Sequence, residues 1–212
     1  LRLNSVMTSQ ITLNIFIIIS LLRLGLVGAT CLYTTDLKKI IAFSSVSHIA
    51  FTIVFLMSIN KIRGMSCILI IITHAFRSSG IFLMVYIFYI STNSRNILVN
   101  TGILVKYPHV GFMWLIIIIS SIGGPPAINL LAEVWCVIYS FILFYKLFLL
   151  LVIGFIFSRS YHIILYSTLA QRNTSWYLRS FSNSTISRSF TMLALFHVIY
   201  TVYLCLLISS FT

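Results

Sequence analysis

The chain has 212 residues, of which 60% are hydrophobic and only 8% are charged, and its mean hydropathy is +1.09. Soluble domains carry about 25% charged residues, so these values exclude a soluble domain and indicate an integral membrane protein. The formal net charge of +12 does not indicate nucleic-acid binding, because the basic residues are spread over the short connections between apolar runs, where membrane proteins keep them. We therefore expect membrane lipids, and no nucleic acid, among the partners of this chain.

Sequence motifs for catalysis, metal binding or cofactor binding are absent. The four cysteines lie far apart, with no C-x-x-C or other metal-ligand spacing, and we interpret them as small apolar residues. Neither G-x-G-x-x-G nor G-x-x-x-x-G-K-[ST] occurs, and no ligand cluster would hold haem or an iron–sulfur centre. The sequence therefore predicts no catalytic residue, no metal site, no cofactor and no redox chemistry on this chain.

Apolar runs of about 20 residues, long enough to cross the roughly 30 Å hydrocarbon core as helices, divide the chain. The predicted spans are residues 11–33, 39–59, 64–91, 148–170 and 189–211, with a longer apolar segment at 109–145. The stretches between them are a polar lead at 1–10, a short turn at 34–36, a polar connection at 92–108 and a polar loop at 171–188. In the turn, Asp36 can cap the helix that follows.

The long segment contains four consecutive helix-breaking residues, Gly123, Gly124, Pro125 and Pro126. Glycine costs helix stability, proline lacks the N–H that a helical turn uses, and the residue before a proline is disfavoured in the helical conformation. We therefore predict that the helix breaks here and restarts, with Glu133 in its second half. Such a break is tolerated in a bilayer only where protein or a water-filled cavity satisfies the freed backbone groups, so an ionisable residue beside it is a candidate functional site.

The length of this segment leaves two topologies open. A continuous helix over residues 109–145 would be roughly 55 Å long, so the segment is either one overlong broken helix or two short passes. With one pass, the basic residues of the connections gather on one side; with two passes, they are divided almost evenly. The residues that gather are Lys38, Lys39, Arg95, Lys106, Arg172, Arg179 and Arg188. The positive-inside rule favours one pass, with both termini on the less basic, outer side.

The sequence thus predicts an all-α integral membrane protein with six transmembrane helices, the fourth broken at residues 123–126. The polar residues inside its spans are Arg23, Ser44, Ser47, His48, His74, Arg77, Glu133, Arg159 and His162. Because a charge at the bilayer centre costs about 2.5–3.5 kcal/mol even on insertion scales, we expect these groups to face one another, water or a partner chain.

Three of these residues are our primary candidates for a proton pathway. Glu133 is one of only two carboxylates in the chain, and histidines such as His48 and His74 take and release protons near neutral pH. The secondary candidates are Ser44, Ser47, Arg77, Arg159 and His162. Structural alternatives stay open: the arginines can pair or snorkel, and the histidines and hydroxyl groups can form hydrogen bonds between helices.

Three sequence blocks resemble the antiporter-like subunits of respiratory complex I. Residues 34–50, T-T-D-L-K-K-I-I-A-F-S-S-V-S-H-I-A, resemble the family signature T-D-L-K-x-x-I-A-[YF]-S-S-V-S-H, and I-I-I-T-H-A-F-R-S-S on the next predicted helix resembles a variant of A-H-G-L-x-S-S. The third block, G-G-P-P-A-I-N-L-L-A-E, resembles the Pro-Gly or Pro-Pro break that precedes a glutamate in the family. Among the antiporter-like subunits, this block is more similar to that of the chain 4 members than to those of the chain 2 and chain 5 members. The blocks follow the family's order and spacing over about residues 25–170.

The resemblance implies a proton-translocating subunit in the membrane arm of NADH:ubiquinone oxidoreductase, in the mitochondrial inner membrane. Enzyme activity would belong to the complex, and NADH, FMN, iron–sulfur clusters and ubiquinone would be bound by other subunits. His48 and His74 match the histidines of the family's central polar axis, and Glu133 matches the acidic residue on the broken helix. Asp36 and Lys38 match signature positions at a helix start, which look structural.

The resemblance also implies a domain organisation and a set of partners. Residues 1–212 would form one transmembrane domain, with a five-helix antiporter-like repeat at 11–170 followed by a polar loop and a terminal helix at 171–212. Because the match covers only the C-terminal part of the family's chains, we expect as partners the other membrane-arm subunits and a separate chain that supplies the missing N-terminal helices; a partial sequence is the alternative. Arg77 departs from the family, which has a small or apolar residue there.

Two other functions stay open on the sequence. The chain could be a stand-alone cation/proton antiporter, since the folds of the two groups overlap. It could also be a structural remnant of the membrane arm that holds helices together without pumping protons.

Overall fold

The fold is described from a computed structural model, which covers residues 2–56, 61–124, 127–143, 148–170 and 188–209, with side chains over most of these ranges. Pro125, Pro126, Arg172 and Arg179 of the sequence predictions lie outside the described residues. The described chain is helical, with a single isolated bridge between Asp36 and Asn96 and no strand within these ranges. The predicted all-α class is therefore confirmed.

Eight helices occur in the described part of the chain. They are α1 (Arg2–Tyr33), α2 (Leu37–Leu56), α3 (Lys61–Thr92), α4 (Ile103–Lys106), α5 (Pro108–Ile122), α6 (Ile128–Leu143), α7 (Phe148–Ala170) and α8 (Arg188–Ser209). Two of them differ from the sequence predictions. Helix α1 extends through the polar lead to Arg2, and the short helix α4 lies within the predicted polar connection, just before Pro108 starts α5 at a position where its missing N–H costs nothing.

Four stretches of the described helices are long and apolar enough to cross a membrane. These are Asn14–Tyr33, Leu37–Val54, Cys67–Thr92 and Phe148–Ala170; shorter apolar helices are present at Pro108–Ile122 and Ser189–Tyr200. The membrane character of the fold is thus confirmed, whereas the count of six passes stays a prediction.

One end of the helix bundle is fixed by contacts between two connections. The Asp36 Oδ1 atom accepts a hydrogen bond of 3.0 Å from the Lys38 N–H, which confirms the predicted helix cap. The Leu37 N–H donates to the Arg95 carbonyl at 2.9 Å, joining the turn before α2 to the loop after α3. In that loop, the fully buried Asn100 side chain accepts from the Thr92 hydroxyl at 2.9 Å. The connections that carry Lys38 and Arg95 therefore share one end of the bundle, as both the single-pass and the two-pass topology predict.

Two apolar clusters form the core, at different heights in the bundle. The larger cluster includes Trp114 of α5 and Phe88 of α3, whose rings meet edge to face with centroids 5.2 Å apart. The smaller cluster includes Phe51 of α2, packed edge to face on Phe155 of α7 at 4.5 Å. Because α1 approaches α7 closely, a Cβ atom added at Gly154 would lie 2.6 Å from the Leu24 Cδ2 atom. Small residues allow such close contacts between membrane helices.

Polar side chains lie between the two clusters along the helices. On α2, the larger cluster holds residues 37–41 and the smaller one residues 50–54, with Ser44, Ser47 and His48 between them. On α3, the smaller cluster ends at Ile70 and the larger one begins at Ile81, with His74 and Arg77 between them. We call the polar residues at this height of the bundle, on α2, α3 and the facing helices, the polar layer. The candidate site lies in this layer.

Candidate functional site

The helix break borders the polar layer. Helix α5 ends at Ile122, and Gly123 adopts the left-handed conformation with a φ of 78°. The Gly123 N–H donates to the Ser120 carbonyl at 3.3 Å, and the Gly124 N–H donates to the Ile119 carbonyl at 2.9 Å. Such bonds satisfy some of the carbonyls that a helix end leaves unpaired. Helix α6 restarts at Ile128, so the chain is interrupted where the glycines and prolines predict it.

Arg77 of α3 lies at the C-terminal end of α5. Its side chain is buried, with 4% of the residue exposed, and its Nη1 atom donates to the carbonyls of Ser120 at 3.4 Å and Ser121 at 3.5 Å. A helix C-terminus carries unpaired carbonyls and a partial negative charge, so the guanidinium compensates both. The Arg77 Nη2 atom also lies 3.4 Å from the Nδ1 atom of His74, one turn earlier on the same helix. Arg77 thus joins the helix break to the histidines.

Three histidines from three helices lie together in the polar layer. The ring centroid of His48 lies 5.5 Å from that of His74 and 6.1 Å from that of His162. His162 is buried, and its Nδ1 atom lies 2.9 Å from the Ser158 carbonyl. Because a carbonyl only accepts, the proton of a neutral His162 is on Nδ1, which leaves Nε2 as an acceptor. The His48 Nε2 atom is buried without a hydrogen-bond partner among the described residues.

Glu133 is paired with a cation from the neighbouring helix. Its carboxylate accepts a hydrogen bond from Arg159 of α7 in a salt bridge, and 4% of the glutamate is exposed. Gly123 packs directly on this ion pair: a Cβ atom added there would lie 2.7 Å from the Glu133 Oε2 atom and 2.9 Å from the Arg159 Nη1 atom. The guanidinium also lies over the Phe155 ring, 5.2 Å from its centroid. The break in the helix therefore provides the space that the ion pair occupies.

The ion pair is accessible from outside the bundle. A cavity of about 250 Å³ between α6 and α7 is lined by Leu130, Glu133, Val134, Val137, Ile138, Phe155 and Arg159. The Arg159 side chain is 25% exposed, whereas that of Glu133 is 6% exposed. The arginine therefore lies on the outer side of the pair and the carboxylate on the inner side.

The structure brings most of the sequence candidates together, but with different partners. His48, His74 and His162 form one group with Arg77, and Glu133 forms a pair with Arg159. The secondary candidates Ser44 and Ser47 lie in the same layer. Their hydroxyl groups donate to carbonyls of their own helix, Ser44 to Ile41 at 2.7 Å and Ser47 to Ser44 at 2.8 Å. Neither serine therefore uses its proton to link the histidines.

Sequence reasoning missed the backbone groups of the site. The carbonyls of Ser120 and Ser121, the Ser158 carbonyl and the close approach of Gly123 all take part in its contacts. One signal was available: His74 and Arg77, three residues apart, share a helix face. The remaining contacts depend on how the helices pack.

The titratable groups in this arrangement can transfer protons. Imidazoles at these separations can exchange a proton through one bridging water. Within the part of the chain that the structure describes, no group of three or more His, Cys, Asp or Glu residues could hold a metal ion. Arg77 contacts both His74 and the end of α5, and Gly123, just after that end, adjoins Glu133.

Comparison with known proteins identifies the family of this chain. Residues 1–159 match the family model described as NADH:quinone oxidoreductase/Mrp antiporter, transmembrane. Similar curated proteins named NADH-ubiquinone oxidoreductase chain 4 come from Artemia franciscana (33% identical, 74% of this chain, 42% of the relative), Apis mellifera ligustica (31%, 72% and 34%) and Rhipicephalus sanguineus (28%, 87% and 42%).

The chain spans 34% to 42% of the length of these three relatives. The family model nevertheless covers most of the chain, including α1 to α6 and the first half of α7. The family that the three sequence blocks predict is therefore confirmed. The chain belongs to the NADH:quinone oxidoreductase/Mrp antiporter transmembrane family.

Proposed function

We propose that this chain is a proton-translocating subunit in the membrane arm of a respiratory NADH:ubiquinone oxidoreductase. Protons would move along the polar layer, driven by quinone reduction elsewhere in the complex, in the mitochondrial inner membrane. The observation that carries the proposal is the grouping of His48, His74 and His162 between the two apolar clusters, beside a broken helix whose end adjoins the Glu133–Arg159 pair. The name of the relatives, NADH-ubiquinone oxidoreductase chain 4, supports the same complex.

In the proposed path, His48 is the central relay. It lies within reach of both other imidazoles, and its unpartnered Nε2 atom can accept or pass on a proton. The Nδ1 atom of His162 is held at the Ser158 carbonyl, so Nε2 would be its exchanging atom. His74 would connect this pair to Arg77 and the end of α5.

Glu133 would be the next group on the path. Its carboxylate accepts from Arg159, so the ion pair has to loosen before the carboxylate can receive a proton. Gly123 leaves the room for that movement, since it presents no side chain to the pair. A change in the distance between α6 and α7 would then alter proton occupancy at Glu133, which is a means of coupling the path to distant chemistry.

The proposal assigns redox chemistry and further helices to other polypeptides. NADH, FMN, iron–sulfur clusters and ubiquinone would be bound by other subunits, and the chain would carry no cofactor. The chain spans 42% or less of the first relatives' lengths. We propose that a separate chain supplies the N-terminal helices of the module; the alternative is that they belong to a longer form of this chain. The other partners would be membrane-arm subunits and lipids.

A test of this proposal is isolation of the chain from solubilised mitochondrial membranes. Native electrophoresis would be followed by an in-gel NADH oxidation stain and by mass spectrometry of the stained band. We expect the chain in the active band, together with a second polypeptide that carries the missing helices. Absence of the chain from every NADH-oxidising band would contradict the assignment.

The family description also names Mrp antiporters, which favours a stand-alone cation/proton antiporter as second candidate. Reconstitution of the purified full chain in liposomes separates the two functions. We expect no exchange of Na⁺ or K⁺ for protons above that of the Glu133→Gln variant. Robust exchange by the native chain alone, lost in that variant, would favour the antiporter.

A structural remnant is the third candidate, and the position of Arg77 favours it. The guanidinium is bound to carbonyls between the histidines and Glu133, where a fixed cation opposes the passage of protons. Proton yield in the assembled complex, described at the end of the Discussion, separates a remnant from a pump.

A further inference from the structure

Arg23 is a charged residue on the outer face of α1. It is exposed, and the large side chains around it on that face are exposed and apolar, with Leu22 at 49%, Leu26 at 67% and Ile19 at 55%. The residue lies near the middle of the apolar stretch Asn14–Tyr33. The position of a cation on an apolar surface therefore needs an explanation.

The depth of Arg23 in the membrane follows from its distance to the polar end of α1. Tyr33 is the last residue of the helix, and the exposed Lys38 and Lys39 follow at the start of α2. Position 33 is ten helical steps after position 23, which is about 15 Å along a helix and about half of the roughly 30 Å hydrocarbon core. An arginine side chain spans little more than one helical turn of about 5.4 Å, so snorkelling would leave its guanidinium inside the hydrocarbon.

Neither carboxylate of the given sequence is available to pair with Arg23. Its only acidic residues are Asp36 and Glu133. Glu133 pairs with Arg159, and Asp36 lies at the end of the bundle, where it caps α2. Among the described residues, Arg23 forms no ion pair. The counter-charge that stabilises a mid-membrane cation is therefore not supplied by the carboxylates of the given sequence.

We propose that the face of α1 formed by Ile19, Leu22, Arg23, Leu26 and Thr30 docks a transmembrane helix of a second membrane protein, and that this helix carries an Asp or Glu at mid-bilayer depth. The apolar residues supply van der Waals contact with that helix. The carboxylate accepts hydrogen bonds from the guanidinium, in a geometry that favours two parallel bonds. The docking face needs only a membrane-spanning α1, so it stands whether or not the chain translocates protons.

Zero-length cross-linking tests the proposal in the assembled complex. The Arg23→Lys variant keeps the positive charge and places an amine in the docking face. A hydrophobic carbodiimide activates a membrane-embedded carboxylate, and attack by the amine forms an amide with release of the corresponding urea. We expect mass spectrometry to find this amide between position 23 and an Asp or Glu inside an apolar segment of another polypeptide. The native chain, which has arginine there, is the control and should give none.

Two results would overturn the docking face. One is absence of the amide at position 23 while carbodiimide adducts form at other membrane-embedded carboxylates of the same sample. The other is labelling of the Arg23→Lys variant at position 23 by a membrane-impermeant amine reagent, which would show that the side chain reaches water.

A second variant gives an independent measurement. Arg23→Leu removes the charge and leaves an apolar helix that inserts readily, so the chain itself should persist in the membrane. We expect recovery of the partner with this variant to fall about tenfold or more, and Arg23→Lys to retain most of the recovery. Equal recovery of the partner with Arg23→Leu and with the native chain would reject the proposal. Proton yield does not enter either readout, so this test and that of the proposed function fail separately.

Discussion

At the scale of single residues, the polar layer contains two cations that are held in different ways. Arg77 donates to backbone carbonyls at the end of α5, 43 and 44 residues away in the chain, whereas Arg159 pairs with Glu133, 26 residues away. The sequence predicts that these polar residues lie within membrane spans and contact other polar groups there. It could not predict which cation takes the carboxylate, because the packing of α3, α5, α6 and α7 decides that.

The first prediction concerns the strength of the Glu133–Arg159 pair. In a double-mutant cycle with Glu133→Gln and Arg159→Gln, we expect a coupling free energy of about 1–3 kcal/mol, because each single variant leaves a charge without its partner in a mostly buried site. The free energy of unfolding of the purified chain in mixed micelles is the measurement. The control cycle combines Glu133→Gln with Arg95→Gln, since Arg95 is an exposed cation in the loop after α3. The two changes in the free energy of unfolding should be additive there. Additive effects in the Arg159 cycle would show that the pair does not contribute.

The second prediction concerns Arg77 as a cap for α5. Arg77→Met keeps the length of the side chain but leaves the Ser120 and Ser121 carbonyls without this donor, so we expect a loss of about 1–3 kcal/mol in the free energy of unfolding. Arg77→Lys, which retains a charged donor, should lose less. If Arg77→Met unfolds at the same denaturant concentration as the native chain, the guanidinium does not stabilise the helix end.

At the scale of elements, local sequence signals were sufficient where a single turn decides the structure. Gly123 ends α5 and Asp36 caps α2, both as the sequence predicts. The short helix α4 was not predicted, because its four residues carry no periodic signal and are held by packing on neighbouring helices. The contact of Gly123 with the Glu133–Arg159 pair is also a matter of packing, and it links a local break to the candidate site.

The third prediction compares two glycines. Gly123→Ala should destabilise the chain by about 1–3 kcal/mol, because its φ is positive and the added Cβ would displace the ion pair. Gly25→Ala in α1 is the matched control: no atom lies within 4 Å of its added Cβ, so we expect a neutral effect or a gain of about 0.5–1 kcal/mol. The measurement is thermal unfolding of each purified variant. Equal midpoints for the two variants would contradict the close contact at the break.

At the scale of the whole molecule, two apolar clusters at different heights enclose the polar layer, and one end of the bundle is closed by the bridged connections. The family blocks in the sequence predict this class of fold, since they mark both the histidine-bearing helices and the break. The blocks do not determine the number of passes, because the segment at 109–145 is too long for one straight pass and would make two short ones.

The fourth prediction concerns orientation in the membrane. Lys38 and Lys39 are exposed at the end where the turn before α2 meets the loop with Arg95, and basic connections stay on the inner side. A membrane-impermeant amine reagent should therefore label both lysines in inside-out vesicles and neither in right-side-out vesicles. The opposite pattern would reverse the predicted topology.

The central claim, that protons pass through this polar layer, is tested most directly by the number of protons translocated per NADH oxidised in the intact complex. We expect this number to fall in the Glu133→Gln variant, because the carboxylate is replaced by a group that does not exchange protons. The matched control is Asp36→Asn. It changes the other carboxylate of the sequence, which caps α2 at the end of the bundle, and should leave the number of protons per NADH unchanged. An unchanged proton yield with Glu133→Gln, in a complex that still assembles and oxidises NADH, would contradict the account and identify the chain as structural.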